Sequence, residues 1–138
     1  MRRAELRRPL LTAAGVLAAT LALRLHDPHV SGSWGFCPLR ALTGLDCPAC
    51  GGLRAVNDLT HLRLDAAFHS NALFVASVPL LVAGWAWWLV RSGRRPGTAG
   101  TPSPAARARE RVLWAVAGAI VLAFTVVRNT PWGHAYWA

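Results

Sequence analysis

Three long apolar segments, separated by arginine-rich stretches, restrict the folds that this chain can adopt. They occupy residues 10–25, 66–90 and 112–128 of a chain of 138 residues. A helix needs about 20 largely apolar residues to cross the ~30 Å hydrocarbon layer of a membrane. We therefore predict an all-α integral membrane protein with three transmembrane helices, embedded in a lipid bilayer.

Local signals support these spans. Pro9 begins the first span and Asp27-Pro28 follows it, as expected at the two ends of a helix. Asp65 is placed to cap the second span, and Pro79 within it is a kink that membrane helices tolerate. The alternative for the first span is a cleaved signal peptide, although no small-residue cleavage site precedes a polar segment.

The charge of the chain is distributed in a way that indicates membrane topology. Fifteen basic residues, all arginine, oppose six acidic residues, giving a net charge of +9. The arginine clusters flank the apolar spans and have no interleaved aromatic residues, which argues against nucleic-acid binding. Four arginines lie in residues 1–9 and six in the linker 91–111, whereas residues 26–65 carry three.

The positive-inside rule then orients the chain in the cell membrane. It predicts that the N-terminal segment 1–9 and the basic linker 91–111 are cytoplasmic. Residues 26–65, which we call the Cys loop, and the tail 129–138 are predicted to be extracytoplasmic. Within the Cys loop, residues 52–60 are predicted to form a short helix.

All three cysteines of the chain lie in the Cys loop, as Cys37-x9-Cys47-x2-Cys50. Three cysteines cannot all pair within one chain. One interpretation is structural, with a pair of cysteines fixing a re-entrant loop. Another is a zinc site with Cys37, Cys47 and Cys50 as ligands. For the fourth ligand we favour His61, carried back by the short helix, over His26, His29 and His69.

A redox role is the third interpretation. A C-x-x-C pair can cycle between dithiol and disulfide, and a helix N-terminus lowers the pKa of a nearby thiol. Cys50 directly precedes the predicted short helix, so Cys47 and Cys50 are the candidate redox pair and Cys37 the assisting thiol. No thioredoxin-like βαβ pattern surrounds the motif. These three interpretations remain open at this point.

Four polar residues are predicted to lie at the same membrane surface as the cysteines. Arg54, Asn71, Arg128 and Asn129 are candidates for a shared pocket, because polar groups at membrane depth are costly and often functional. The simpler alternative for Arg54 is an i, i+4 ion pair with Asp58. For Arg128 we favour the simpler expectation, a position at the lipid interface.

The motifs Cys37-Pro38, Leu42-Thr43-Gly44, Cys47-Pro48-x-Cys50-Gly51 and Arg54-Ala55 resemble the DUF2752 family of small bacterial membrane proteins. Asn71 and the Arg128-Asn129 pair before Pro131 also resemble that family. The resemblance extends over residues 34–131, with departures at Leu53, Leu62 and Ala72. It implies the fold and the membrane location, but no activity.

The sequence contains no serine, carboxylate pair or phosphate-binding loop in an arrangement usable for catalysis. We therefore expect a non-enzymatic accessory or assembly component with a structural or metal-stabilised Cys loop. The alternative is a membrane thiol-disulfide oxidoreductase that uses Cys47 and Cys50. Three helices bury little surface against each other, so self-association or a membrane partner subunit is expected.

Overall fold

The computed structural model describes residues 2–30, 32–34, 36–93 and 103–137, and in these ranges it contains helices and no strand. The six helices, in chain order, are α1 (Arg2–Leu25), α2 (Pro38–Thr43), α3 (Gly52–Thr60), α4 (Leu64–Gly93), α5 (Pro104–Arg128) and α6 (Pro131–Trp137). The all-α fold, and a short helix between the first two long ones, are confirmed.

Three of these helices are long and apolar enough to cross a membrane, namely Leu6–Leu25 within α1, α4 and α5. Their large apolar side chains point outward, and Leu17, Leu80 and Leu122 are between 66% and 75% exposed. Such exposure would be unfavourable in water over three whole helices. It fits a lipid bilayer, so the prediction of a three-span membrane protein is confirmed.

The helices extend beyond the predicted apolar runs. Helix α1 already begins at Arg2, and the basic linker is helical at both ends, because α4 continues to Gly93 and α5 starts at Pro104. Ser103 caps α5 by accepting a hydrogen bond from the backbone N–H of Ala106. The centre of the predicted linker, 94–102, lies outside the described residues.

Helices α1 and α4 form an antiparallel pair. At one end the indole N–H of Trp85 donates to the carbonyl of Pro9 (3.1 Å). At the other end α3 packs across both helices, and the buried amide of Asn57 donates to the carbonyl of Leu23 (2.7 Å). The Cys loop is thereby fastened over one end of the α1–α4 pair.

A small apolar core lies beneath α3. Ala55, Ala67 and Val75 are buried in it, and Leu59 and Phe74 pack against them. Alanine at positions 55 and 67 lets α3 and α4 approach closely, since neither side chain separates the two backbones. The core thus lies at the loop end of the molecule, while the membrane-spanning surfaces stay uncovered.

Helix α4 is interrupted at Asn71, where the backbone leaves helical geometry (φ −164°, ψ 95°). The side-chain oxygen of Asn71 accepts a hydrogen bond from the N–H of Phe74 (2.9 Å), which is the pattern of an N-cap residue. A new helical segment therefore starts after Asn71. The break lies at this asparagine, and the backbone around Pro79 stays helical.

Helix α5 contacts the rest of the described chain mainly through its C-terminal end. None of the residues in its most apolar stretch is buried. The short helix α6 folds back against it, and a Cβ at Gly133 would overlap the carbonyl oxygen of Val127. The tail also reaches α4, where the Trp137 indole donates to the carbonyl of Phe68 (3.2 Å) and Tyr136 stacks on His69.

Candidate functional site

The three cysteines converge, and their sulfur atoms all lie within 4.8 Å of one another. The Sγ atoms of Cys47 and Cys50 are 3.2 Å apart, and those of Cys37 and Cys47 are 3.5 Å apart. All three are free thiols and partly buried. We call Cys37, Cys47 and Cys50 the thiol cluster.

Local backbone structure positions each thiol. Cys37 occupies the N-cap of α2, and Pro38 follows at the first helical position, where its missing N–H costs nothing. Cys47 and Cys50 are joined by a tight turn in which the N–H of Cys50 donates to the carbonyl of Cys47 (3.0 Å). The turn brings two sulfurs to one side, and the start of α2 supplies the third.

The thiols differ in acidity. Hydrogen bonding from the backbone N–H of Arg40, and then from the Cys50 thiol, lowers the pKa of Cys37 to about 7. Burial, followed by hydrogen bonding with Cys47, raises the pKa of Cys50 to about 12. The thiolate is both the nucleophile and the metal ligand, and Cys37 forms its thiolate more readily than Cys50 does.

Gly51 lets the cysteine turn lie directly on α4. Its φ of +77° favours glycine, and a Cβ there would overlap the carbonyl oxygen of Ser70. Ser70 immediately precedes the break at Asn71. The cysteine turn and the interruption of α4 are therefore packed against each other.

Asn71 holds the same turn from its buried side. Its side chain is 0% exposed, and its amide nitrogen donates to the carbonyls of Pro48 (2.8 Å) and Cys50 (3.0 Å). Together with the bond from Phe74, the amide group is used at both ends. Asn71 thus links the start of a membrane span to the backbone of the thiol cluster.

Asn129, at the end of α5, likewise binds the backbone of the Cys loop, one residue before Cys47. Its side-chain oxygen accepts from the N–H of Asp46 (2.8 Å), and its nitrogen donates to the carbonyl of Asp46 (2.9 Å). The nitrogen also donates to the carbonyl of Thr125 in α5 (2.8 Å). The third span is joined to the Cys loop by this two-point backbone contact.

Arg128 is buried inside the protein. We expected it at the lipid interface, but it is only 1% exposed. It lies beside Asp46, with 3.9 Å between its Nε and the carboxylate, and donates to the carbonyl of Trp137 (3.2 Å). Helix α6 and the Cys loop close over it, which removes it from the lipid.

Asp46 is a buried acid that sequence reasoning did not single out. It is 2% exposed and pairs with the more exposed Arg40 (3.2 Å) as well as facing Arg128. The only sequence signal was an acid directly before Cys47. Its role depends on Arg128 and Asn129, which are more than eighty residues away in sequence, so local pattern reasoning had no access to it.

His61 lies at the opposite end of α3 from the thiol cluster. Its Nδ1 is 2.9 Å from the carbonyl oxygen of Asn57, and it lines a separate cavity of about 290 Å³. The nine-residue helix α3 is about 13 Å long at 1.5 Å per residue. The helix thus carries His61 away from the cysteines, and the group of converging ligand atoms contains no histidine among the described residues.

The other histidines also have local contacts. His29 is near the thiol cluster, but its two ring nitrogens face Asp27 (2.7 Å) and Asp58 (3.5 Å). His26 packs edge-on against Trp34, and His69 stacks on Tyr136. None of them completes a fourth ligand position as the side chains stand.

Arg54 does not pair with Asp58. The buried Asp58 is held by Arg63 (2.8 Å) and by the hydroxyl of Ser70 (2.9 Å). Arg54 instead lines an open cavity of about 430 Å³ whose wall includes all three cysteines. Of the four predicted pocket residues, Asn71, Arg128 and Asn129 thus support the loop from its buried side, and Arg54 faces the thiol cavity.

Three converging thiols can bind a thiophilic metal ion, or two of them can close a disulfide. A serine or carboxylate in a catalytic arrangement does not accompany them in the described parts of the chain. The cluster is therefore the candidate site among the described residues of the Cys loop.

Comparison with known proteins gives a match in the region that contains the thiol cluster. No curated protein and no solved structure is significantly similar to the chain. A family match begins at the first cysteine of the cluster and ends within α4, so Arg128 and Asn129 lie beyond it. Residues 37–85 match the family described as "Protein of unknown function (DUF2752)", which confirms the resemblance to DUF2752 from Cys37 in the Cys loop to Trp85 in α4.

Proposed function

We propose that this chain is a non-enzymatic accessory or assembly component of the cell membrane, in which the Cys loop is a rigid, zinc-stabilised platform. The observation that carries the proposal is the convergence of three thiols within 4.8 Å. The backbone that bears them is fixed by two side-chain amides, that of the buried Asn71 in α4 and that of the partly buried Asn129 at the end of α5. The platform is thereby coupled to the packing of the spans.

Zinc suits the thiol cluster chemically. Thiolates are preferred zinc ligands, and a tetrahedral ion with Zn–S bonds of ~2.3 Å separates its sulfurs by about 3.8 Å. The separations of 3.2 Å and 3.5 Å are close to that spacing. A structural zinc ion contributes folding free energy directly, which would offset the small apolar core of this protein.

The polar residues around the cluster favour a structural role over catalysis. Asn71 and Asn129 use both ends of their amide groups to bind backbone. Asp58 is occupied by Arg63 and Ser70. A general base needs an accessible proton acceptor facing a substrate, and these carboxyl and amide groups are already committed to the fold.

We propose that the N-terminus is cytoplasmic and that the Cys loop and C-terminus are extracytoplasmic. The arginine distribution supports this orientation through the positive-inside rule. The loop, the C-terminal end of α1 and the C-terminal end of α5 lie at one end of the molecule, as contacts from Leu23 and Asn129 indicate. Three crossings with termini on opposite sides require the C-terminal ends of α1 and α5 to lie at the same end of the molecule.

The exposed third span favours association with another membrane protein or with a second copy. No residue in the most apolar stretch of α5 is buried, and this helix packs on neither α1 nor α4 through an extended surface. Lipid can cover such a helix, but an assembly component needs a contact surface, and the uncovered apolar face of α5 offers one.

The test is to purify the full chain and measure zinc per chain together with thermal stability. We expect one zinc ion per chain, and its loss together with a lower abundance of folded protein in Cys47→Ser. Ser77→Ala is the matched control, because among the described residues the Ser77 hydroxyl donates only to the backbone carbonyl of Phe74. A Cys47→Ser protein with full abundance and stability but no cellular phenotype would argue against a platform role.

A second candidate function is a membrane thiol-disulfide oxidoreductase that uses Cys47 and Cys50. The short distance between these sulfurs and the lowered pKa of Cys37 favour it. A Cys37 or Cys47 thiolate would attack a partner disulfide, forming a mixed disulfide and releasing a partner thiolate. A second cluster thiol would then resolve it, so that the partner is reduced and the cluster oxidised.

This candidate predicts a trapped intermediate. Replacing Cys37 and Cys50 together by serine would leave a mixed disulfide on Cys47 with no cluster thiol to resolve it, giving a higher-mass band on non-reducing gels that reductant removes. The parallel variant replaces Cys47 and Cys50 together and leaves Cys37 alone. If both variants ran only as the single chain, the oxidoreductase function would be excluded.

A further inference from the structure

The cavity beside the thiol cluster is large enough for a small molecule and is positively charged. Its volume is about 430 Å³, within the range of about 300–1,000 Å³ common for ligand sites. Its wall carries the three thiols, two arginines (Arg40 and Arg54) and His29, and no carboxylate side chain among its lining residues. An anionic ligand is therefore favoured over a cationic one.

The arginine and histidine side chains of the wall are not equally available. Arg40 is paired with Asp46, and His29 is paired with Asp27. Arg54 has no hydrogen bond or ion pair with any described residue, although its side chain is partly buried in the cavity wall. A guanidinium without a protein partner binds a carboxylate well, through two parallel hydrogen bonds.

The thiol cluster offers the second binding group. It supplies three ligands, and no histidine, aspartate or glutamate of the described chain joins them. A tetrahedral metal ion needs a fourth ligand. Since all three cysteines line the cavity, the fourth ligand is expected to come from the cavity. An ion held by thiolates is thiophilic, so a sulfur donor is preferred there.

We infer that this cavity binds a small thiol that carries a carboxylate, with its sulfur on the cluster metal ion and its carboxylate on Arg54. The inference rests on the proposed zinc site. Binding is a ligand exchange without electron transfer. The thiol sulfur forms a bond to the metal ion, a metal-bound water leaves, and the thiol proton passes to solvent.

The test uses the full chain in detergent, loaded with Co²⁺, whose sulfur-to-metal absorption reports the number of thiolate ligands. Three probes are titrated: 3-mercaptopropionate, 2-mercaptoethanol, which lacks the carboxylate, and propionate, which lacks the thiol. We expect mercaptopropionate to raise the absorption with an affinity about tenfold higher than mercaptoethanol, the effect of a hydrogen bond to a charged group. Propionate is expected to leave the absorption unchanged.

Arg54→Gln is the informative variant, because Arg54 has no hydrogen bond or ion pair with any described residue, so that its loss should leave the fold and the Co²⁺ stoichiometry intact. We expect it to bind the two thiols with equal affinity, while Arg91→Gln, which removes an arginine outside the cavity, keeps the tenfold preference. A preference retained in Arg54→Gln would overturn the inference. The inference would also be overturned if the added thiols removed Co²⁺ from the protein or left its spectrum unchanged. In either case the metal site itself would still stand. A chain that binds no Co²⁺ through sulfur would overturn the zinc proposal as well.

Discussion

Gly51 is the residue on which the position of the cysteine turn depends most directly. Gly51→Ala places a Cβ against the Ser70 carbonyl and also carries the cost of a positive φ. We expect a loss of about 1 kcal/mol from the backbone and about 2 kcal/mol more from overpacking. Thermal unfolding in detergent measures the sum.

Gly44 provides a matched control for the backbone contribution. It has nearly the same φ, +73° against +77°, but a Cβ there meets nothing within 4 Å. Gly44→Ala should therefore show the backbone cost alone. Equal losses of stability in the two variants would mean that the turn does not press on α4 as described.

The thiols provide a pH-dependent prediction, also at the level of residues. In the reduced, metal-free protein, Cys37 with a pKa of about 7 is roughly half thiolate at pH 7, whereas Cys50 with a pKa of about 12 is almost entirely protonated. Alkylation of Cys37 should rise up to about pH 8 and then level off, because its thiolate fraction saturates. Alkylation of Cys50 should still be rising at pH 10. Site-resolved mass spectrometry measures both, and equal rates at pH 7 would contradict the assignment.

Sequence reasoning selected the residues around the thiol cluster more successfully than it predicted which residues they contact. The spacing Cys37-x9-Cys47-x2-Cys50 was sufficient to select the thiols as candidates, and an asparagine or arginine beside an apolar span was sufficient to select Asn71 and Arg128 as candidates. Their partners depend on contacts between distant segments, such as Asn129 with Asp46. Local periodicity carries no information about such contacts. Arg128 was therefore expected at the lipid interface, whereas it is buried in the protein.

At the scale of elements, α5 is held to the Cys loop through polar contacts rather than apolar packing. Arg128→Gln would leave the buried carboxylate of Asp46 with one charged partner fewer, and we expect a loss of about 3 kcal/mol. Arg40→Gln removes the other arginine facing the same carboxylate, but Arg40 is 57% exposed, so a change below about 1 kcal/mol is expected. Thermal unfolding compares the two variants directly. If Arg40→Gln were the more damaging change, the buried pair would not be what anchors α5.

The helices themselves were largely predictable, because a run of apolar residues forms a helix in a membrane whatever its neighbours are. The break in α4 was not. Its position depends on Asn71 finding carbonyl acceptors at Pro48 and Cys50, which only the folded Cys loop provides. The same limit applies to His61, since a short helix that starts at the cysteines carries the residue at its end away from them.

At the scale of the whole molecule, hydropathy predicts the number of crossings, and the arginine counts predict their direction. The fold bears only on the number of crossings. Three crossings require the termini to lie on opposite sides of the membrane. We expect a reporter enzyme that needs disulfide bonds to be active when fused to the C-terminus and inactive when fused to the N-terminus. The physical reason is the excess of arginine in residues 1–9 and 91–111, which resists translocation. Enzyme activity in intact cells measures each fusion.

The reverse pattern would place the thiol cluster in the cytoplasm, where reducing conditions would disfavour a stable disulfide and weaken the oxidoreductase alternative. Activity in both fusions or in neither would mean an even number of crossings, so that one of the three apolar helices would not span the bilayer.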